Sequence, residues 1–309
     1  MNTASKHKLS KFYKYMSAEV AKKVLSTNTL RWSSPLLFND PFDVPRELAK
    51  DMNIANMLAA SSKLIEEAVL NFEAEISYLA QDFYKLVLGL RRIKYPEKEK
   101  PLHEIREGQI FQKIDDYLLE DERQNWYEML PKMRILCLSA RKNIIPMWYH
   151  YADKYQDVVL ELNPYTHINS ERPWPMIFPV EYPDSFPELF TEKGWGKLLI
   201  SSPENRLNEL ITFSTFIKKP DWRYEEEYRL VRLEETKSFQ QYSDDVFSEK
   251  IISKIYFGPE IEPRNREYLI KLILERFPHV KAYDMNFKFG WETQLERIIC
   301  SIYYLNDII

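Results

Sequence analysis

Glycine is scarce in this chain, with six residues in 309. Neither GxGxxG nor GxxxxGK[ST] occurs. A backbone that wraps a pyrophosphate needs those glycines, so the sequence argues against a Rossmann dinucleotide site and a Walker phosphate loop. Cysteine is scarcer still. Cys137 and Cys300 lie in apolar stretches without CxxC spacing and read as buried thiols rather than disulfide or zinc partners. The five histidines form no HxxxH or HxH pair, so no metal site is expected. No run reaches the ~18 apolar residues of a membrane span. The first nine residues are polar and basic, without the apolar centre of a signal peptide. The expectation is a cytoplasmic protein with no membrane association. A strong charge of one sign is also missing: the net charge is −4, so no global field favours nucleic acid. A local basic groove stays possible on these counts.

What is present is core-forming material, 45% hydrophobic and 14% aromatic. Lys11-Phe-Tyr-Lys-Tyr15 reads as a strand. Ser17 caps a helix with Glu19 in its first turn, and Thr29-Leu-Arg-Trp-Ser33 is a second strand. Residues 46–131 change character. Ile54, Met57, Leu58, Leu64, Ile65 and Val69 recur at helical spacing, and three or four helices are expected, broken near Pro96 and Pro101. Strands return at Arg134–Ser139 and Val158–Leu162, around a short helix over Pro146–Tyr155. A helix near 204–217 leads to a strand beginning at Trp222. The C-terminal part holds a strand over Ile251–Phe257, a helix over Arg264–Phe277 and a strand over Val280–Asp284. No internal repeat occurs. The order is α+β, too irregular for a doubly wound sheet, and reads as one domain over 1–309 with 46–131 as a helical insertion or lid.

The segment Trp222-Arg-Tyr-Glu-Glu-Glu-Tyr-Arg229 carries the most chemistry. As a strand it would put Glu225 and Glu227 on one face, flanked by Arg223 and Arg229, and turn Glu226 toward the core. Two adjacent carboxylates are unfavourable unless compensated. They are therefore either an arginine-neutralised ladder or a working pair. Four further sites stand beside them. His150, in Met147-Trp-Tyr-His-Tyr-Ala-Asp153, is either a general acid/base or a half-buried histidine bonded to backbone. Asn39, Asp40 and Asp43 make either a turn or a ligand-binding rim. Ser139 ends its strand without a GxSxG elbow, so it suits fixing a carboxylate better than attacking a substrate. A basic residue on the first strand could hold a diphosphate. Together these suit cleavage of a ribosyl N-glycosidic bond, where a carboxylate stabilises an oxocarbenium-like transition state and a second one handles the acceptor.

The ordered set Phe12-Tyr-Lys-Tyr15, Leu30-Arg-Trp-Ser33, Phe38-Asn-Asp-Pro-Phe-Asp43, Met147 to Asp153, Trp222 to Arg229 and Ile255-Tyr-Phe-Gly-Pro259 resembles the DUF2971 family of bacterial and phage-associated proteins over about residues 11 to 290. The order of elements is also similar, more loosely, to ADP-ribosyltransferases of the Arg/His–Ser–Glu type. That second resemblance implies a mixed split β-sheet core with a helical insertion after the second strand, and NAD as cofactor. By motif position it implies Lys14 for the basic residue, Ser139 for the serine, Glu225 and Glu227 for the acidic pair, and Lys218 to Tyr224 for the acceptor-recognition turn. Tyr15, Arg31, Ser33, Asn39, Asp40 and Trp148 would join Lys14 around the cofactor, with His150 lining the pocket. The sequence departs from the pattern at two places. Lys14 cannot make the bidentate fork of an arginine, and Leu138-Ser139-Ala140 replaces Ser-Thr-Ser. The implied activity is cleavage of NAD and transfer of ADP-ribose to a macromolecular acceptor, protein or nucleic acid, in a toxin, a phage-defence effector or a self-modifying regulator. Two other readings stay open: a non-catalytic nucleotide- or protein-binding module on the same fold, and a metal-dependent nuclease using Asp40, Asp43, Glu225 and Glu227 around magnesium.

Overall fold

The computed structural model describes residues 9–48, 52–111, 116–167, 174, 176–185, 187–234, 240–288 and 292–297; Cys300 lies outside them. In chain order the elements are β1 (Phe12–Met16), α1 (Ala18–Thr27), β2 (Thr29–Ser33), α2 (Ile54–Leu70), α3 (Gln81–Arg92), α4 (Glu99–Arg106), α5 (Asp116–Met129), β3 (Met133–Ser139), α6 (Ile145–Tyr151), β4 (Val158–Leu162), β5 (Ile177–Pro179), α7 (Glu192–Ile200), α8 (Pro203–Phe216), β6 (Glu227–Leu233), β7 (Tyr242–Val246), β8 (Ile252–Phe257), α9 (Pro263–Arg276), β9 (Lys281–Lys288) and β10 (Glu292–Arg297). The protein is α+β, with every described strand in one mixed sheet. It divides into two compact units. The first takes residues 1–37, 132–180 and 221–309, and the second takes 38–131 and 181–220. The helical unit is thus larger than the expected 46–131 segment, because 181–220 joins it and brings α7 and α8.

In the first unit the sheet runs β10-β9-β8-β4-β1-β3, and β3 is where it forks. One edge of β3 pairs with β6 along its whole length, from Met133↔Leu233 to Ser139↔Glu227. The other edge meets β1 at Tyr13↔Ser139 and β2 at Ser33↔Ile135. Helix α1 separates β1 from β2 in sequence, and the two strands leave β3 at different heights. Ser17 begins α1 by accepting the Val20 N–H, as its residue type predicts, and Asn28 ends it at φ 55°, a conformation asparagine tolerates. Among the described strands β8 and β9 alone pair in parallel, with α9 as their crossover.

Strand alternation gives the sheet two chemically different faces. Phe12, Met16, Leu136, Leu138, Leu160, Leu230 and Ile255 point to one side, where Ala21, Val24 and Leu25 of α1 and Leu269 and Ile273 of α9 complete the main core. Tyr15, Val159, Tyr256 and Met285 point to the other, where Ile144, Met147 and Trp148 from α6 and its approach cover part of it. The candidate chemistry lies on this second face.

In the second unit α2 packs on α7 closely enough to need glycine. A Cβ on Gly196 would stand 2.7 Å from the Met57 carbonyl oxygen. Ser61 Oγ donates to the Gly196 carbonyl at 2.8 Å. Pro101 does not break a helix as expected, because it falls in the first turn of α4, where N–H groups have no helical partner to lose.

Candidate functional site

The Glu225–Glu227 segment is not one strand. Pro220–Glu225 is a 3₁₀ helix, Glu226 takes φ 43°, and β6 starts only at Glu227. The two-residue pleat that was to align the carboxylates is therefore absent. Both are nevertheless buried, Glu225 at 3% and Glu227 at 6% exposure. Glu226 is the outward one, paired with Arg141 at 2.5 Å, which reverses the expectation that it faces the core. Backbone bonding explains the kink: the Ala140 N–H donates to the Glu226 carbonyl at 2.9 Å, and Ser139 Oγ donates to the Glu225 carbonyl at 2.7 Å. Ser139 thus fixes the turn through its backbone, not a carboxylate.

Glu227 is forked by Arg229, with Nε to Oε1 at 2.7 Å and Nη2 to Oε2 at 2.9 Å. Arg229 is fully buried. The arrangement is neither a solvated ladder nor a bare acidic pair, but a desolvated bidentate ion pair. Glu225 Oε1 accepts the Tyr151 hydroxyl of α6 at 2.7 Å. Cys137 lies half-buried and free beside them, and desolvation, then Glu227, pushes its thiol pKa up.

Register aligns these groups further. The pairs Lys254↔Glu161, Glu161↔Tyr13, Tyr13↔Ser139 and Ser139↔Glu227 make one continuous row across β8, β4, β1, β3 and β6. Cross-strand partners share a face, so Tyr13, not Lys14, is the first-strand residue beside Ser139. Lys14 pairs with Leu160 on the opposite face, and its amine donates to the Cys137 carbonyl at 2.8 Å, near the point where β1 and β2 part along β3.

The remaining expected site residues are placed as follows. Tyr15 is buried, donates to the Arg141 carbonyl at 2.9 Å and accepts the Ile144 N–H at 3.2 Å. Trp148 is fully buried edge-on to Tyr15. His150 is exposed on α6 and contacts Tyr149 edge to face at 5.3 Å. Arg31 forks Asp244 at 2.9 and 3.0 Å and lies over Tyr242, so its charge is already matched. Ser33 closes β2, in register with Ile135 and Tyr242. Asn39 and Asp40 belong to the second unit. There Asp40 Oδ1 accepts the Phe42 N–H at 2.9 Å, the turn geometry its sequence suggests. Asp43 is buried with Lys218 at 3.4 Å. Among the described residues no group of three or more His, Cys, Asp or Glu side chains is gathered as metal ligands, and no described helix is long and apolar enough to cross a membrane.

Comparison with protein-family models, curated proteins and solved structures gives no match. The resemblances described above therefore rest on the motifs alone.

One centre was invisible in the sequence. Glu161 lies inside the apolar run of β4 and is 1% exposed. It accepts the Tyr256 hydroxyl at 2.6 Å, Ser253 Oγ at 2.8 Å, Lys254 Nζ at 3.1 Å and the Tyr13 hydroxyl at 3.4 Å, with Lys11 Nζ at 3.5 Å. Burial alone would raise its pKa, but the bonds from Tyr256, Ser253 and Lys254 outweigh it and hold the carboxyl below its ordinary value. Burial, then Glu161, pushes the Tyr13 hydroxyl up to about 12. A depressed carboxyl pKa adds stability above the unfolded value of 4.5 and loses it as pH falls through the folded one. The expected result is that wild type loses stability relative to Glu161→Gln as urea melts move from about pH 6 to about pH 3. A stability gap that does not change over that range would refute the linkage.

Proposed function

We propose that the first unit is an ADP-ribosyltransferase-like domain that cleaves the nicotinamide–ribose bond of NAD, with Tyr13, Ser139 and Glu227 as its reacting row. The carrying observation is the register that sets these three side by side on adjacent strands at a forked sheet. The looser resemblance to the Arg/His–Ser–Glu order supports the same reading. In it, the C–N bond to nicotinamide breaks and the bonding pair leaves with the neutral amide. Glu227, kept ionised and oriented by Arg229, stabilises the oxocarbenium-like ribose. The acceptor forms the new bond at the same carbon, and Glu225, held by Tyr151, takes its proton. Tyr13 takes the position that motif order assigned to Lys14.

A second reading, a non-catalytic nucleotide-binding module, is favoured by a different observation. Both Glu227 oxygens are already in the Arg229 fork, and the Ser139 hydroxyl is spent on backbone. One experiment separates the two. Purified protein incubated with NAD should release nicotinamide, and Glu227→Gln should slow release about 100-fold or more, the scale of losing a transition-state charge partner. If wild type releases none while NAD raises the melting temperature, the binding module stands. If NAD does neither, both readings fall.

A further inference from the structure

The residues around Glu161 carry more positive charge than that carboxylate can neutralise. Lys254 and Lys11 both lie within ion-pair distance of it, and the described residues pair neither with any other carboxylate. A third amine, Lys142, stands 5.8 Å from the Tyr13 ring centre and 5.6 Å from that of Tyr256. Among the described residues its Nζ makes no hydrogen bond or ion pair. Its backbone is held, because the Trp148 indole N–H donates to the Lys142 carbonyl at 2.7 Å. Desolvation lowers the pKa of this amine, and repulsion from Lys254 and Lys11 lowers it further against the pull of Glu161. Three cations thus converge on one anion, leaving two positive charges to match from outside.

The depth of each group tells which way the site opens. Glu161 is the sealed floor, whereas the side chains of Lys254 and Lys11 keep 27% and 53% exposure. Beside them the half-buried ring of Tyr283 is backed by Tyr256, which is itself 1% exposed and stacks on it at 5.6 Å and 25°. A dianion bound by flexible amines, next to a partly open tyrosine ring, is the chemistry of a nucleoside monophosphate. Phosphate oxygens accept from several ammonium groups at once, and a base stacks on tyrosine.

We propose that Lys142, Lys254 and Lys11 form a site for the phosphate dianion of a mononucleotide whose base lies against the ring of Tyr283. The site makes no use of Glu227, so it stands or falls separately from NAD cleavage.

Titration calorimetry with AMP, ribose 5-phosphate and inorganic phosphate tests it. AMP should bind at least tenfold more tightly than inorganic phosphate, with ribose 5-phosphate close to the latter. Lys142→Ala and Lys254→Ala should each weaken AMP by about tenfold, the loss expected for one charge-assisted contact. Lys142→Arg keeps the charge and should retain most of the affinity. Three results would overturn the proposal: no AMP binding at millimolar concentration, equal affinity for AMP and inorganic phosphate, or unchanged affinity in Lys142→Ala. The last variant removes an amine that makes no hydrogen bond or ion pair among the described residues, so its melting temperature should stay near wild type and a binding loss is not a folding loss.

Discussion

Replacing Arg229 with methionine should cost about 3–5 kcal/mol, because it strands a buried carboxylate by removing its bidentate arginine fork. The pair is sealed: Arg229 is fully buried, Glu227 is 6% exposed, and two bonds of 2.7 and 2.9 Å join them. Breaking such a pair from one side differs sharply from removing it whole. The double variant Arg229→Met, Glu227→Leu should therefore recover more than half of the loss, with a coupling of roughly 2 kcal/mol or more. Amide exchange in β3 and β6 is the right measurement, since it reads the first unit directly and does not assume that both units unfold together. A single-variant cost under about 1 kcal/mol would mean that water already screens the pair, and the solvated ladder would be the correct description after all.

Much of the local structure was legible from sequence. Thr29–Ser33 and Val158–Leu162 are strands at the expected bounds, Ser17 caps α1, and Asp40 makes its turn. These depend on neighbours in the chain. What failed depends on neighbours across the sheet. Tyr13 or Lys14 could each have faced Ser139, and only the β1–β3 pairing chooses between them. The strand reading of Glu225–Glu227 failed because Glu226 adopts a positive φ, which glutamate rarely does. Its cause is a bond from Ala140, far away in sequence. Glu161 looked like one polar letter in an apolar strand. Its partners arrive from β1 and β8, whose placement on either side of β4 no local pattern encodes. Helix α7 was missed for a related reason. Gly194 and Gly196 weaken helical propensity, yet the close approach of α2 and of the Glu188–Leu189 backbone requires both.

Truncating Trp148 to alanine should destabilise the first unit by about 3–5 kcal/mol, the range for removing a large buried aromatic. The sequence offered Trp148 as a wall of a cofactor pocket. The structure instead makes it a joint: the ring is fully buried, meets Tyr15 edge-on at 5.6 Å, and bonds the Lys142 carbonyl through Nε1. Tyr15 holds the same loop from the other side through Arg141 and Ile144. Trp148→Phe keeps most of the packing but drops the indole N–H, so it isolates the hydrogen bond and should cost only about 1–2 kcal/mol. That milder variant is also the sharper test of function. A wall residue would change NAD affinity and leave stability nearly intact. A joint leaves NAD affinity unchanged, and it loosens the one loop that carries Lys142, so in Trp148→Phe AMP binding should weaken while the β1–β4 amides lose only the protection that about 1–2 kcal/mol implies. Intact stability in Trp148→Ala would return Trp148 to the pocket wall, because no well-packed core position tolerates that loss of volume.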